Sequence, residues 1–334
     1  MKFVLDAEQR LFGETLHKLL AEADTPSAIR AWGAGDSVPG RALWRSVAET
    51  GVFALAVPEA YDGAGVLPVE LVTAAYELGR HAVPGPFVET LAAAVLIDGL
   101  GDGEPAARWL PRVAAGEAMI SLARPYALDA DVADLVVTVA DDAPPRTARP
   151  ATRRPGIDPA RRLFEVVLDA PLGAGTDATA RAVDLATLLC ASQQLGVGRA
   201  LLDVSVKYAR TRRQFGRAIG EFQAVKHHLA DALVGLEFAR PLVHGAALSY
   251  GTEDFPRDVS AAKVAAAEAS YATAKIALQV HGAIGYTDEY APSLWIRKAR
   301  ALYAAWGAPA DHRARVMRSL RRPATDEGLP GRSA

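Results

Sequence analysis

Glu289 is the carboxylate of this chain that the sequence best equips to move a proton. It comes near the end of the stretch Gln279-Val280-His281-Gly282-Ala283-Ile284-Gly285-Tyr286-Thr287-Asp288-Glu289-Tyr290. Gly282, Ala283 and Gly285 are small, so the backbone there can come close to something bulky. A carboxylate that follows such a turn can be aimed into a cavity as a general base, and an apolar, water-poor pocket would raise its proton affinity to suit. A second reading stands beside it: a carboxylate at a helix N-terminus, ahead of Ala291-Pro292-Ser293-Leu294, interacts favourably with the helix dipole. Upstream lies a second constellation. Arg212-Arg213-Gln214-Phe215-Gly216 leads into Glu221-Phe222-Gln223-Ala224-Val225-Lys226-His227. His281 reads as the filling of a polar turn. His227-His228 falls in a helical pattern with no Cys or carboxylate cluster, so no metal site is expected.

The elements that must position these residues are mostly helical. Residues 6 to about 118 carry helical spacing, with Leu11, Phe12, Leu16, Leu19 and Leu20 at its start. Val57 to Gly65 reads as a loop set by Pro58, Gly63 and Gly65. A helix resumes over 69–78 with Gly79 as its stop, and two more follow over 87–99 and 105–115. The middle differs: 134–139 and 162–168 read as two strands, with the Pro- and Arg-rich residues 141–160 as a loop or poorly ordered connection between them. Two strands are marginal alone and need cover. From about 178 the pattern predicts long Ala/Leu-rich helices over 180–210, 218–249, 257–281 and 291–318, a four-helix bundle. The expected division is 1–117 helical, 118–173 a small β unit, 174–320 the bundle, and 321–334 a disordered tail.

Composition narrows the function. The 334 residues hold 37 Lys+Arg against 39 Asp+Glu, a formal charge of −2, which offers no basic field for nucleic acid. A single cysteine, Cys190, excludes an intrachain disulfide and a multi-cysteine metal site, and its apolar neighbours read as burial. The N-terminus runs straight into charged helical sequence, and no apolar run reaches membrane-spanning length, so a soluble cytoplasmic protein is expected.

The order of helices, small β unit and helical bundle, taken with these motifs, resembles the acyl-CoA dehydrogenase family of flavoenzymes. Val57-Pro58-Glu59-Ala60-Tyr61-Asp62-Gly63-Ala64-Gly65 is similar to the family's "VPExyGGxG" loop, and Glu77-Leu78-Gly79-Arg80 to its "ELGR" helix end. The resemblance implies FAD as cofactor, held largely across a subunit boundary. Arg212 and Phe215 match the Arg-x-x-Phe-Gly motif that reaches the pyrophosphate of a neighbour's FAD; guanidinium forks suit phosphate oxygens. Gln223 matches a glutamine near the flavin. Gln279, Gly282 and Ala283 match the "QxxGG" turn against the adenosine-pyrophosphate half, with Ala283 in place of the second glycine. Glu289 is matched to the base that takes the α-proton of an acyl-CoA thioester while a hydride leaves the β-carbon.

Other expected pieces are missing. Where the family carries a flavin-holding loop similar to "TEPxxGSD", this chain reads Ser121-Leu122-Ala123-Arg124-Pro125-Tyr126-Ala127-Leu128-Asp129-Ala130. Asp184 is followed three residues later by Thr187 rather than an arginine for the CoA moiety, and Ala186 stands where some members put a base. The "YxGT" segment is replaced by Ala304-Ala305-Trp306-Gly307-Ala308. That pattern resembles the short subunits of actinobacterial heteromeric members that act on steroid side-chain CoA thioesters. It implies a heterotetramer with a longer acyl-CoA dehydrogenase subunit, and an electron-transfer flavoprotein as acceptor. Two alternatives stay open: a self-sufficient homomeric dehydrogenase with Glu289 as base, and a non-catalytic scaffold subunit. If the partner holds the working site, Glu289 faces a vestigial one.

Overall fold

The computed structural model describes residues 4–321, apart from 142 and 174. The expected tail, 321–334, lies outside the described residues but for Arg321. The N-terminal part comprises α1 (Ala7–Glu22), α2 (Thr25–Ala34), α3 (Val38–Ala48), the short pair β1 (Ala56–Val57) and β2 (Gly65–Val66), α4 (Pro68–Arg80), α5 (Phe87–Gly99) and α6 (Gly103–Ala114). α1 begins at a reciprocal cap. The Asp6 carboxylate accepts from the Gln9 amide at 2.9 Å, and the Gln9 side chain accepts from the Asp6 amide at 3.1 Å. The segment read as a plain loop, 57–65, is closed by antiparallel pairing of β1 with β2.

The middle unit is larger than the two strands expected. It is a five-stranded sheet in the order β3-β5-β6-β7-β4, built from β3 (Ile120–Ala123), β4 (Ala127–Leu128), β5 (Leu135–Ala140), β6 (Ala143–Arg154) and β7 (Leu163–Pro171). The correction concerns 141–160: most of that stretch is the long strand β6, antiparallel to both β5 and β7. Pro144, Pro145 and Pro150 made it read as a loop, because proline cannot donate to a ladder. The register shifts between Arg146 and Ala148 and between Pro150 and Arg153, and these irregularities accommodate the strand. One face holds a small core of Ala123, Ala127, Val136, Ala148 and Phe164.

The C-terminal part is organised on α7 (Thr176–Thr211), 36 residues long. A hairpin of β8 (Arg213–Gln214) and β9 (Arg217–Ala218) follows it. Then come α8 (Gln223–Leu248), α9 (Phe255–His281), α10 (Pro292–Ala304) and α11 (Pro309–Leu320). Every residue of α7 from Asp184 to Gly198 is buried, since α4, α5, α8, α9 and α10 all pack around it. The helix expected over 218–249 starts only at Gln223, because the hairpin occupies the preceding residues. The helix expected over 291–318 is two helices. Pro309 has no amide to carry a ladder past the break. Trp306 (φ 59°) and Gly307 (φ 103°) turn the chain there. The Leu302 carbonyl is taken by side chains: Lys263 Nζ donates to it at 2.9 Å and Gln194 Nε2 at 2.7 Å. Cys190 is buried beside them, as its setting suggested. No helix among the described residues is long and apolar enough to cross a membrane.

Gly79 does not stop α4. It lies inside the helix, where a Cβ would sit 2.0 Å from the Gln193 carbonyl oxygen of α7. From the other side, a Cβ on Gly196 would sit 1.9 Å from the Tyr76 carbonyl oxygen and 2.6 Å from the Arg80 amide. The two backbones touch through paired glycines. Gly196→Ala is therefore expected to destabilise the fold by about 1–3 kcal/mol, the usual cost of forcing a methyl into a packed contact. Denaturant unfolding measures it. Gly103→Ala, where an added Cβ meets nothing within 4 Å, is the matched control and should leave the midpoint nearly unchanged.

Candidate functional site

The motif residues gather at one end of the bundle. α7 and α9 run side by side in the same direction, since Gly198 approaches Ser270 and, further along, Tyr208 stacks on His281 with ring centroids 4.6 Å apart. The C-terminus of α7, carrying Arg212, therefore lies beside the C-terminus of α9, carrying Gln279, Gly282 and Ala283. The hairpin after Arg212 turns through Phe215 (φ 50°) and Gly216 (φ 80°), the left-handed pair that a two-residue hairpin requires. That geometry pushes the Phe215 ring outward, 91% exposed. Phe222 meets it edge-on at 6.2 Å, and the Arg217 guanidinium lies 4.1 Å over the Phe222 ring. Arg212, Arg213 and Arg217 are exposed and have no salt bridge among the described residues. Gln223 opens α8 directly after the hairpin, also exposed.

The turn beside it is equally open. Gln279, Gly282 and Ala283 are exposed. Gly282 has φ 65° and nothing within 4 Å of where a Cβ would stand, so backbone is presented to open space. His281 is held rather than poised: its Nδ1 donates to the Ala277 carbonyl at 2.8 Å, burial pushes its pKa down, and its ring lies between Tyr208 and Tyr290. Uncompensated guanidinium groups, an exposed aromatic ring and accessible backbone together suit a ligand that is both anionic and aromatic.

Glu289 stands at this same end and not in a cavity. It is exposed, and its side chain makes no hydrogen bond or salt bridge among the described residues. Its carbonyl accepts from Arg30 at 3.2 Å, alongside that of Asp288 at 3.0 Å. The Asp288 carboxylate pairs with Arg297 at 2.9 Å. The apolar pocket that a carboxylate base calls for is not built around Glu289.

A large cleft lies elsewhere, where the N-terminal helices, the sheet and the bundle meet. It encloses about 950 Å³, with Glu89, Leu122, Tyr126, Asp158, Asp184 and Trp306 among its walls. Four of its carboxylates are already answered by cations of this chain. Asp184 takes both arms of Arg315, Asp158 pairs with Lys298 at 3.2 Å, Arg124 holds Asp141 at 2.7 Å, and Arg161 stands 4.0 Å from Glu89. Glu89 is fully buried. Burial pushes its carboxyl up, opposed by the Arg161 charge. Neither Glu89 nor Asp158 was singled out from sequence. A lone charge in the apolar run Phe87-Val88-Glu89-Thr90-Leu91 was the available signal for Glu89.

The loop 121–130 is turned to another use. Asp129 (φ 54°) is wholly buried, and its Oδ1 accepts from Trp32 Nε1 at 3.0 Å and from Arg162 Nε at 3.2 Å. Arg162, itself 1% exposed, lies 4.7 Å over the Trp32 ring and reaches Asp131 at 2.8 Å. Loop, sheet and α2 are thereby pinned together.

The sequence matches the acyl-CoA dehydrogenase N-terminal domain over residues 6–117 and the acyl-CoA dehydrogenase C-terminal domain over residues 173–321. Acyl-CoA dehydrogenase IpdE2 of Mycobacterium tuberculosis is 33% identical over 296 residues, which cover 87% of this chain and 91% of that protein. Its counterpart in Mycolicibacterium smegmatis is 31% identical over 319 residues, 93% and 98% of the two chains. Among solved structures, the ChsE4-ChsE5 complex from M. tuberculosis superposes with a TM-score of 0.85 at 24% identity, covering 97% of this chain and 100% of that one. The Tcur3481-Tcur3483 steroid ACAD superposes at 0.83 and 24%, covering 94% and 97%. At these identities the structural likeness is one of fold.

Removing Arg162 should leave Asp129 buried without its cation. Arg162→Met is expected to destabilise by about 3–5 kcal/mol, the usual cost of breaking a buried pair from one side. The effect should depend on pH. Burial already pushes Asp129 up to about 6 from 3.8, against the Trp32 and Arg162 interactions. A carboxyl that binds its proton more tightly when folded loses stability as pH rises from about 4 through 6. In Arg162→Met that loss should be deeper and extend to higher pH, as denaturant midpoints between pH 4 and 8 will read.

Proposed function

This chain belongs to the acyl-CoA dehydrogenase family, and from that premise we propose that it is one subunit of an FAD-dependent acyl-CoA dehydrogenase completed by a longer, unlike subunit. The observation that carries this is a separation. The cleft-lining Thr187 of α7 and Arg212, which caps the C-terminus of that helix, are 25 residues apart, roughly 38 Å along a straight helix. One dinucleotide cannot bridge both within a single chain. The hairpin therefore serves a cofactor whose other half is held by a neighbour, and the inward use of the 121–130 loop in this chain makes that neighbour an unlike one.

The residues fit the diphosphate end of FAD. Arg212 supplies a fork for phosphate oxygens without first surrendering a carboxylate partner. Phe215 can cover an aromatic face and exclude water from the charge pair, and the Gly282-Ala283 backbone leaves room for the adenosine half. The ring end fits poorly. The Ser121 hydroxyl is buried with no hydrogen-bond partner among the described residues, Asp129 faces inward, and Arg124 is engaged with Asp141. A bound FAD would supply the acceptor for the hydride that leaves the β-carbon of an acyl-CoA thioester when its α-proton is removed. This chain's part in that reaction is to hold the diphosphate and build the subunit boundary. Val234, Phe238 and Leu242 support the second role: they repeat at helical spacing along α8 and are 52%, 76% and 45% exposed. The substrate class is an acyl-CoA thioester, and the steroid description of one structural neighbour makes steroid side-chain thioesters the first to assay. An electron-transfer flavoprotein is the acceptor this reading implies, and heterotetramer the assembly.

The working base belongs to the partner under this reading, because Glu289 is exposed and lies at the hairpin end. Glu289→Gln in the co-expressed complex should leave turnover within a few-fold of normal. A working general base would cost about 10²–10⁴-fold on removal, so a fall of that size with FAD still bound would overturn the assignment. Arg212→Ala should weaken FAD retention by about ten- to hundredfold, since a charge-assisted hydrogen bond is worth roughly 1.5–3 kcal/mol. Flavin absorbance after serial dilution reads it; unchanged occupancy with only acyl-CoA affinity reduced would show that Arg212 holds substrate instead. The assembly itself is tested by solution mass. A yellow, active homotetramer of this chain alone would end the heteromeric reading.

A further inference from the structure

A group of side chains far from the hairpin and outside the central cleft converges on one point. His17 of α1, Glu77 of α4 and His81, the residue that caps the C-terminus of α4, bring their donor atoms together. His17 Nδ1 lies 3.0 Å from His81 Nε2 and 3.2 Å from Glu77 Oε2, and His81 Nε2 lies 3.9 Å from the same oxygen. Glu77 and His81 are four apart across the last turn of α4, where the His81 amide still donates to the Glu77 carbonyl at 3.1 Å. We propose that His17, Glu77 and His81 form a binding site for a divalent transition-metal ion of the zinc class.

The geometry carries the proposal. Zinc takes histidine nitrogen at about 2.0–2.1 Å and carboxylate oxygen at about 2.0–2.2 Å in a tetrahedral arrangement. A tetrahedron with such bonds has edges of about 3.3–3.5 Å. The three donor separations bracket that edge, so an ion could sit at bonding distance from all three with little movement. The three groups form a two-histidine, one-carboxylate set, a combination known from zinc sites with an open fourth position. Room for a fourth ligand lies beside the cluster: His17 and Glu77 border a pocket of about 260 Å³ that also touches Gly13, Tyr76 and Ser192, enough for a water.

The carboxylate is prepared for one ligand bond only. Glu77 Oε2 faces the imidazoles, and Arg80 stands 3.8 Å from the other oxygen, Oε1. Arg80 is drawn in turn toward Asp203 at 3.5 Å. Such an outer partner orients a metal-bound carboxylate. Glu77 is itself buried, so its orientation is set by the fold rather than by solvent. Because His17 lies on α1 and the other two at the C-terminal end of α4, the ion would staple the first helix to the body of the chain. Arg10, Arg80 and Arg240 also border the pocket, so an anion is the competing occupant.

The test uses the full chain, free of any histidine tag and stripped with a chelator. Titration calorimetry with Zn²⁺ should show one site per chain, Co²⁺ should give the intense visible absorption of a four-coordinate ion, and hydrogen exchange in α1 should slow when metal is added. His17→Ala and His81→Ala should each weaken binding by more than the roughly 10–100-fold that losing an outer partner costs, with the cobalt band lost. His17 has a side chain 39% exposed, so its alanine variant should fold normally; near-wild-type circular dichroism checks this. Three results would overturn the proposal: no stoichiometric binding, binding that survives in the His17→Ala His81→Ala double variant, or stabilisation by phosphate that a chelator does not reverse.

Discussion

The contact of α4 with α7 through Gly79 and Gly196 is the constraint on which the molecule depends. Backbone meets backbone there, with no side chain between. A helix with Asp184 to Gly198 buried on every side needs neighbours at close range all round, and small residues make that possible. Once α4 is seated, the N-terminal helices are fixed relative to the bundle. Trp295 Nε1 then reaches the Arg80 carbonyl at 2.9 Å, locking α10 to the end of α4. The cleft, bounded by α5, α7, the sheet and the α10–α11 break, follows from that docking.

Charge is distributed unequally along this frame. In the cleft, Asp184, Asp158, Glu89 and Asp141 each face a cation from the same chain. Burying Asp184, Asp158 and Glu89 alone would be prohibitive, so internal pairing is what lets the walls close. At the hairpin end, guanidinium groups remain in solvent beside an exposed phenylalanine. Compensated charge builds structure, while uncompensated charge in a rigid turn is available to a ligand. The proposed cofactor contacts of this chain are placed at the hairpin for that reason.

The Asp129–Arg162–Trp32 arrangement explains what became of the loop that would be expected to touch a flavin. The loop's carboxylate faces inward and joins sheet to α2. An acidic side chain in the right region of the sequence is thus a structural pin, and only its burial distinguishes the two roles.

Much was legible in the chain itself. Helical periodicity located α4, α5, α7 and α9 to within a few residues, and Arg212-Arg213-Gln214-Phe215-Gly216 stood out as a cationic stretch between two expected helices, because local pattern is written in neighbouring residues. Composition also announced the burial of Cys190. What tertiary structure decided were matters of distance between residues far apart in sequence. β6 is a strand despite three prolines because β5 and β7 flank it and its register can shift. Gly79 is a packing contact rather than a helix stop because Gln193 lies against it. The last long helix breaks because Lys263 and Gln194 take the Leu302 carbonyl and Pro309 offers no amide. Glu289 is exposed rather than pocketed, and His17 meets Glu77 and His81 across 60 and 64 residues of chain. A sequence pattern records what each residue can do, but burial and proximity arise only when distant segments pack.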